Sequence, residues 1–132
     1  MKLLIVDDEK LIVAGLAHMV DSFEIPNLSV RTAFRGTQAL EIMEKDFIDL
    51  VLVDVAMPGM NGLELIRNAQ EKKLCSDFII ISGRQDFAFV QQALRSGVID
   101  YLLKPIQRDE LRSLLIRCAG KPENADAVSN KY

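Results

Sequence analysis

The chain has 132 residues, with 16 Lys and Arg against 19 Asp and Glu and one His, for a formal net charge of −3. That length suits a single domain, and 49% hydrophobic with 27% charged residues is enough apolar side chain for a core and too much for a disordered chain. The mild acidity excludes a segment that grips nucleic acid by itself, which needs a basic stripe. Cys75 and Cys118 stand far apart with no C-x-x-C spacing, so they suggest reduced thiols, not a disulfide framework or a zinc site. No apolar run approaches the roughly 18 residues of a membrane span. Met1-Lys2 opens straight into an apolar run followed by Asp7, Asp8 and Glu9, unlike a signal peptide, so a cytoplasmic protein without a membrane partner is expected.

In chain order, Leu3–Val6 predicts a first strand, and Leu11/Ile12, Gly15/Leu16 and Met19 follow at helical spacing. Leu28–Ala33 predicts a second strand; its Ser29, Arg31 and Thr32 mark an edge with one wet side. A second helix is spaced by Ala39/Leu40 and Met43, and Leu50–Val53 predicts the third strand. Asn61-Gly62 precedes a third helix carrying Leu63, Ile66 and Ala69/Gln70. Phe78–Ile81 predicts the fourth strand. The fourth helix has Asp86 as candidate cap, Phe87, Val90 and Ala93/Leu94 as its stripe, and Gly97 at its end. Ile99–Leu103 predicts the fifth strand, and Leu111, Leu114/Leu115 and Cys118 the last helix, which Gln107 caps weakly. Most of the strand runs are near-continuously apolar, as strands covered on both faces are. Five strands alternating with five helices specify an α/β fold with a doubly wound parallel sheet. Residues 1–120 form the expected domain, and the polar stretch 121–132 reads as a linker or tail.

Ligands of such sheets collect outside the carboxyl ends of the strands. Reading only those ends gives Asp7 and Asp8 after the first strand, Asp54 after the third, Ser82 after the fourth and Lys104 after the fifth. Three carboxylates on one rim repel, by about 4 kcal/mol per pair at about 4 Å and an effective dielectric near 20. A hard divalent cation relieves that repulsion, and carboxylates with water and a backbone carbonyl suit Mg²⁺. One carboxylate is then placed to act as a nucleophile toward phosphorus, with Lys104 and Ser82 available to the phosphoryl oxygens.

Four segments, LLIVDDE (3–9), LVLVDVAMPGMNGLELI (50–66), IIISGRQDF (79–87) and VIDYLLKPI (98–106), resemble the receiver domains of two-component response regulators, the CheY-like family. The resemblance covers residues 2 to about 119 and implies a five-stranded parallel sheet in order 2-1-3-4-5. It implies Asp54 as the acceptor of a phosphoryl group from a sensor histidine kinase. Asp7, Asp8, Asp54 and the backbone carbonyl of Ala56 would be the Mg²⁺ ligands. Ser82 and Tyr101 match the switch pair, Lys104 the phosphate-pairing lysine, and Lys104-Pro105 the family's cis peptide. Ala56 and Arg84 stand where the family tunes phosphoryl lifetime; Ala56 has no side chain with which to orient a water.

The segment 82–106 is similar to receivers of the YesN type, which are joined to AraC-like DNA-binding domains. The implied function is a switch that catalyses only its own phosphorylation and dephosphorylation. It would work through a homodimer on the face of the fourth helix, fifth strand and fifth helix, and reach DNA only through an effector domain outside this chain. A stand-alone receiver in a phosphorelay is the alternative. An aspartyl-phosphate hydrolase fits less well, because Ala56 replaces the second Asp such enzymes commonly carry. A flavodoxin-like cofactor binder fits less well too, because Asp-Asp-Glu stands where a phosphate loop would be. His18 is expected at the surface or its boundary. Met57 and Met60 are expected to shape their loop, Phe87 to join the core, and Phe89 to be exposed toward a partner.

Overall fold

The computed structural model describes residues 1–75 and 77–120; the polar stretch 121–132 lies outside the described residues. The order is β1 (Lys2–Val6), α1 (Lys10–Ser22), β2 (Ser29–Ala33), α2 (Gly36–Lys45), β3 (Leu50–Asp54), α3 (Gly62–Glu71), β4 (Phe78–Ser82), α4 (Phe87–Arg95), β5 (Asp100–Leu103) and α5 (Arg108–Ala119). All strand pairs are parallel, in the order β2-β1-β3-β4-β5. Each expected strand is present, although β3 and β4 run one residue further, so that Asp54 and Ser82 are their last residues.

Period two along the strands divides the interior into two layers. Leu4, Val6, Val51, Val53 and Ile80 pack with α2, α3 and α4, whereas Leu3, Ile5, Leu50, Leu52, Ile79 and Ile81 pack with α1 and α5. Because both faces are covered, β1, β3 and β4 are buried almost end to end, and β2 at the edge alternates as its polar residues predict. Among the described residues no helix is long and apolar enough to cross a membrane.

Two helix faces differ from the sequence reading. On α1, Leu11 is 89% exposed, whereas Ile12, Leu16 and Met19 of the expected stripe pack on the core together with the buried Val13 and Val20. The inward face of α1 is therefore centred a little past the expected stripe, on Val13, Leu16 and Val20, with Ile12 and Met19 at its margin. On α4, Phe87 is 68% exposed, not in the core, and Leu94 is exposed too. A 3-10 turn at Arg84–Asp86 precedes α4; Val90 and Ala93 face inward as expected, and Asp86, not Phe87, is the buried residue at the start of the helix. Phe89 is exposed as expected, and so is His18.

Candidate functional site

The carboxyl ends of β1, β3, β4 and β5 bring the expected residues together. Asp7 is fully buried just past β1; its backbone N–H donates to the Ala33 carbonyl at 3.2 Å, and its Oδ1 accepts the Glu9 N–H at 3.0 Å. Asp54 ends the central strand with 2% exposure, and its Oδ1 accepts the Ala56 N–H at 3.2 Å. Lys104 Nζ donates to Asp54 Oδ2 at 3.0 Å and lies 3.5 Å from Asp7 Oδ2. Its own backbone N–H donates to the Ser82 carbonyl at 2.8 Å, which ties the end of β5 to that of β4. The Lys104–Pro105 peptide bond is cis.

Asp8 is exposed, yet it offers a carboxylate oxygen that lies with those of Asp7 and Asp54 inside a span of 4.8 Å. Burial pushes the Asp7 carboxyl up to about 6, with the nearby Asp54 charge adding to the effect and the Glu9 N–H opposing it. Burial pulls Lys104 down, but its hydrogen bond to Asp54 and the charges of Asp54 and Asp7 outweigh that and hold it above its ordinary value. Two buried polar atoms at this rim, Asp7 Oδ2 and Ser82 Oγ, have no hydrogen-bond partner among the described residues. An unpaired buried polar group costs about 1–3 kcal/mol, so both atoms gain from a ligand that supplies a partner.

These donors fit a hard divalent cation. All are oxygens, two of the three carboxylates are buried, and Asp7 Oδ2 faces the Lys104 ammonium at 3.5 Å but accepts no hydrogen bond among the described residues. Ser82 Oγ fits an acceptor oxygen on the same rim. Tyr101, on β5, is 39% exposed, and Ala56 is exposed just after β3. Arg84 opens the 3-10 turn; its side chain lies outside the described residues. Met57 is buried in the β3–α3 loop, and Met60 packs beside Gly36.

One feature of the site differs from the sequence reading. Asp86 stands at the N-cap position of α4, but its carboxylate makes no cap bond to that helix; Oδ2 instead accepts the Gly83 N–H at 3.0 Å, closing the turn after Ser82. The signal for this is the three-residue spacing from Gly83 to Asp86, with an acidic residue in the first turn.

The response regulator receiver domain model matches residues 3–116. The chain is 32% identical over 130 residues to the uncharacterized transcriptional regulatory protein YesN of Bacillus subtilis, covering 98% of this chain and 35% of that one. It is 32% identical over 116 residues to the transcriptional regulatory protein HptR of Staphylococcus aureus, covering 88% of this chain and 45% of that one. It thus spans less than half the length of these curated relatives. Among solved structures, the receiver domain of AraT, a response regulator from Geobacillus stearothermophilus, superposes with a TM-score of 0.78 at 35% identity, covering 91% of this chain and 93% of that one.

Proposed function

The chain belongs to the response regulator receiver family, and on that premise we propose that Asp54 accepts a phosphoryl group from a sensor histidine kinase and thereby switches a partner surface. The observation that carries the proposal is the Asp54 carboxylate, buried at the end of the central strand and held 3.0 Å from Lys104 Nζ beside a second buried carboxylate, Asp7. In the transfer an Asp54 oxygen attacks phosphorus, the phosphorus–nitrogen bond of the donor phosphohistidine breaks, and the imidazole leaves with that electron pair.

Asp7, Asp8, Asp54 and the backbone carbonyl of Ala56 are the groups that would hold Mg²⁺, which when bound offsets the charge gathering on the phosphoryl oxygens. Ala56 N–H orients the acceptor by holding Oδ1, leaving Oδ2 on the Lys104 side. Lys104 pairs with a phosphoryl oxygen in place of Asp54 Oδ2, and Ser82 Oγ donates the hydrogen bond for which it has no partner among the described residues. Drawing Ser82 toward the site pulls on the turn closed by Asp86, and Tyr101 moves inward behind it. Ala56 and Arg84 set the lifetime of the acyl phosphate.

The altered surface is the outer side of α4, β5 and α5, where Phe87, Leu94, Tyr101 and Leu103 are exposed. There we place a homodimer contact favoured by phosphorylation. The relatives' names support a transcriptional output, reached in the cytoplasm through a DNA-binding effector domain outside this chain. The protein turns over no other substrate. The chemistry of the modification tests the proposal. An acyl phosphate on Asp54 is cleaved by hydroxylamine, with the hydroxamate mapping to the peptide containing residue 54. A hydroxylamine-resistant phosphate, such as one on Ser82, would overturn it.

A further inference from the structure

Gly62, the first residue of α3, is buried against the backbone of the proposed acceptor. A Cβ built on it would lie 2.6 Å from the Asp54 carbonyl oxygen and 2.8 Å from Val55 Cα. These are backbone atoms at the end of β3, where Asp54 pairs with Ile81 of β4 and the Val55 N–H donates to the Ile81 carbonyl at 3.0 Å, so they have little freedom to retreat. Gly36 differs: its Cβ would meet side-chain atoms alone, Met60 Sδ at 2.8 Å, Cγ at 2.9 Å and Cβ at 3.0 Å, and no backbone. Gly15 and Gly97 would meet nothing within 4 Å.

The approach is held from both directions. Gly62 N–H donates to the Val55 carbonyl at 3.0 Å, closing the loop from Ala56 to Asn61 at its neck. Asn61 fixes the helix start through a reciprocal cap, accepting the Glu64 N–H at 2.9 Å while its own N–H donates to Glu64 Oε1 at 3.3 Å. Inside the closed loop sits Ala56, whose N–H holds Asp54 Oδ1.

We propose that Gly62 is a positioning residue for phosphoryl transfer: its missing side chain lets α3 clamp the Asp54–Val55 peptide, which aims the acceptor carboxylate and the Ala56 backbone at Asp7 and Lys104. The proposal rests on the reading of Asp54 as acceptor. A methyl group at position 62 drives the neck open, and because Asp54 and Val55 are held to β4, the shift falls on residues 56–61. Asp54 Oδ1 loses the Ala56 N–H, and the carboxylates no longer share one small volume. Misplacements of about 1 Å cost reacting groups up to about 100-fold.

The test compares Gly62→Ala, Asn61→Ala and Gly97→Ala with the wild type. Gly97 has a φ of +87° at the other edge of the sheet, so its substitution lowers stability by backbone strain and leaves the carboxylates alone. Two quantities are read: Mg²⁺ affinity by calorimetry without any phosphoryl donor, and the initial rate of phosphorylation from a small acyl phosphate at saturating Mg²⁺. Gly62→Ala is expected to weaken Mg²⁺ binding and slow phosphorylation, each by about tenfold or more. Asn61→Ala should give a smaller loss of the same kind, and Gly97→Ala should melt lower with both quantities unchanged. Wild-type values for a folded Gly62→Ala, or equal losses in Gly97→Ala, overturn the proposal. If Gly62→Ala does not fold, wild-type values for Asn61→Ala overturn it. A wild type that takes up no phosphoryl group refutes the Asp54 reading instead, and the Mg²⁺ titration still decides the clamp.

Discussion

Replacing Asp7 by Asn should stabilise the metal-free protein. Asp7 is fully buried, and burial raises its carboxyl from 3.8 to about 6. Ionised near neutral pH, it therefore costs the fold about 3 kcal/mol, at 1.36 kcal/mol for each unit by which the value is raised. Asn keeps the acceptor for the Glu9 N–H but sets an amide near the Lys104 ammonium, so the net gain should be about 2 kcal/mol. For a domain of this size that is a rise in Tm of roughly 5–10 °C. Linkage gives the sign with pH. The folded wild type binds a proton more readily than the unfolded chain, so its handicap is full above about pH 6 and is lost as pH falls toward about 4. Thermal melts of both proteins in EDTA across that range give the assay. A variant no more stable than wild type near neutral pH, or an advantage that is the same at both ends, would refute the reasoning. With Mg²⁺ present the advantage should shrink, because the cation stabilises only the protein that keeps the carboxylate.

The same rim and the helix faces carry further expectations. Mg²⁺ at ten times its dissociation constant should stabilise the wild type by about 1.4 kcal/mol, and Asp8→Ala should lose most of that gain in thermal melts. Ser82→Ala removes a buried hydroxyl without a partner among the described residues, so the unmodified protein should be unchanged or up to about 1 kcal/mol more stable in denaturant melts, while the phosphorylation-driven change in dimerisation is lost. On α1, Leu16→Ala should cost about 2–4 kcal/mol, whereas Leu11→Gln should stay within about 0.5 kcal/mol, and a reversed order would refute the assigned face. Phe87→Ala should leave Tm within a few degrees of wild type and weaken dimerisation of the phosphorylated protein in sedimentation.

The sheet is legible in the sequence because strands covered on both faces spell unbroken apolar runs, and β1, β3 and β4 do so. Its order comes from the family resemblance. The rim is legible because the carboxyl ends of four strands put Asp7, Asp54, Ser82 and Lys104 within a few residues of positions that periodicity alone locates. Helix faces are less so. α1 carries apolar residues on more than one side, and only contact with the sheet selects Val13, Leu16 and Val20 over Leu11. Phe87 and Leu94 lie at the margin of the α4 stripe, beside Val90 and Ala93, and burial stops at Asp86, in the 3-10 turn before the helix, a boundary that apolar spacing does not mark. Asp86 has the sequence context of an ordinary helix cap, yet it closes the preceding turn. The approach of Gly62 to Asp54 is invisible in the sequence for another reason: it is a contact across a loop, set by the absence of atoms.

The central claim is that Asp54 is the phosphoacceptor. Intact-mass analysis after incubation with a small acyl phosphate, with and without Mg²⁺, on the wild type and Asp54→Ala tests it most directly. One phosphoryl group on the wild type, absent without Mg²⁺ and absent from the variant, is the expected result. Equal modification of Asp54→Ala, or uptake by the wild type that ignores Mg²⁺, would contradict it.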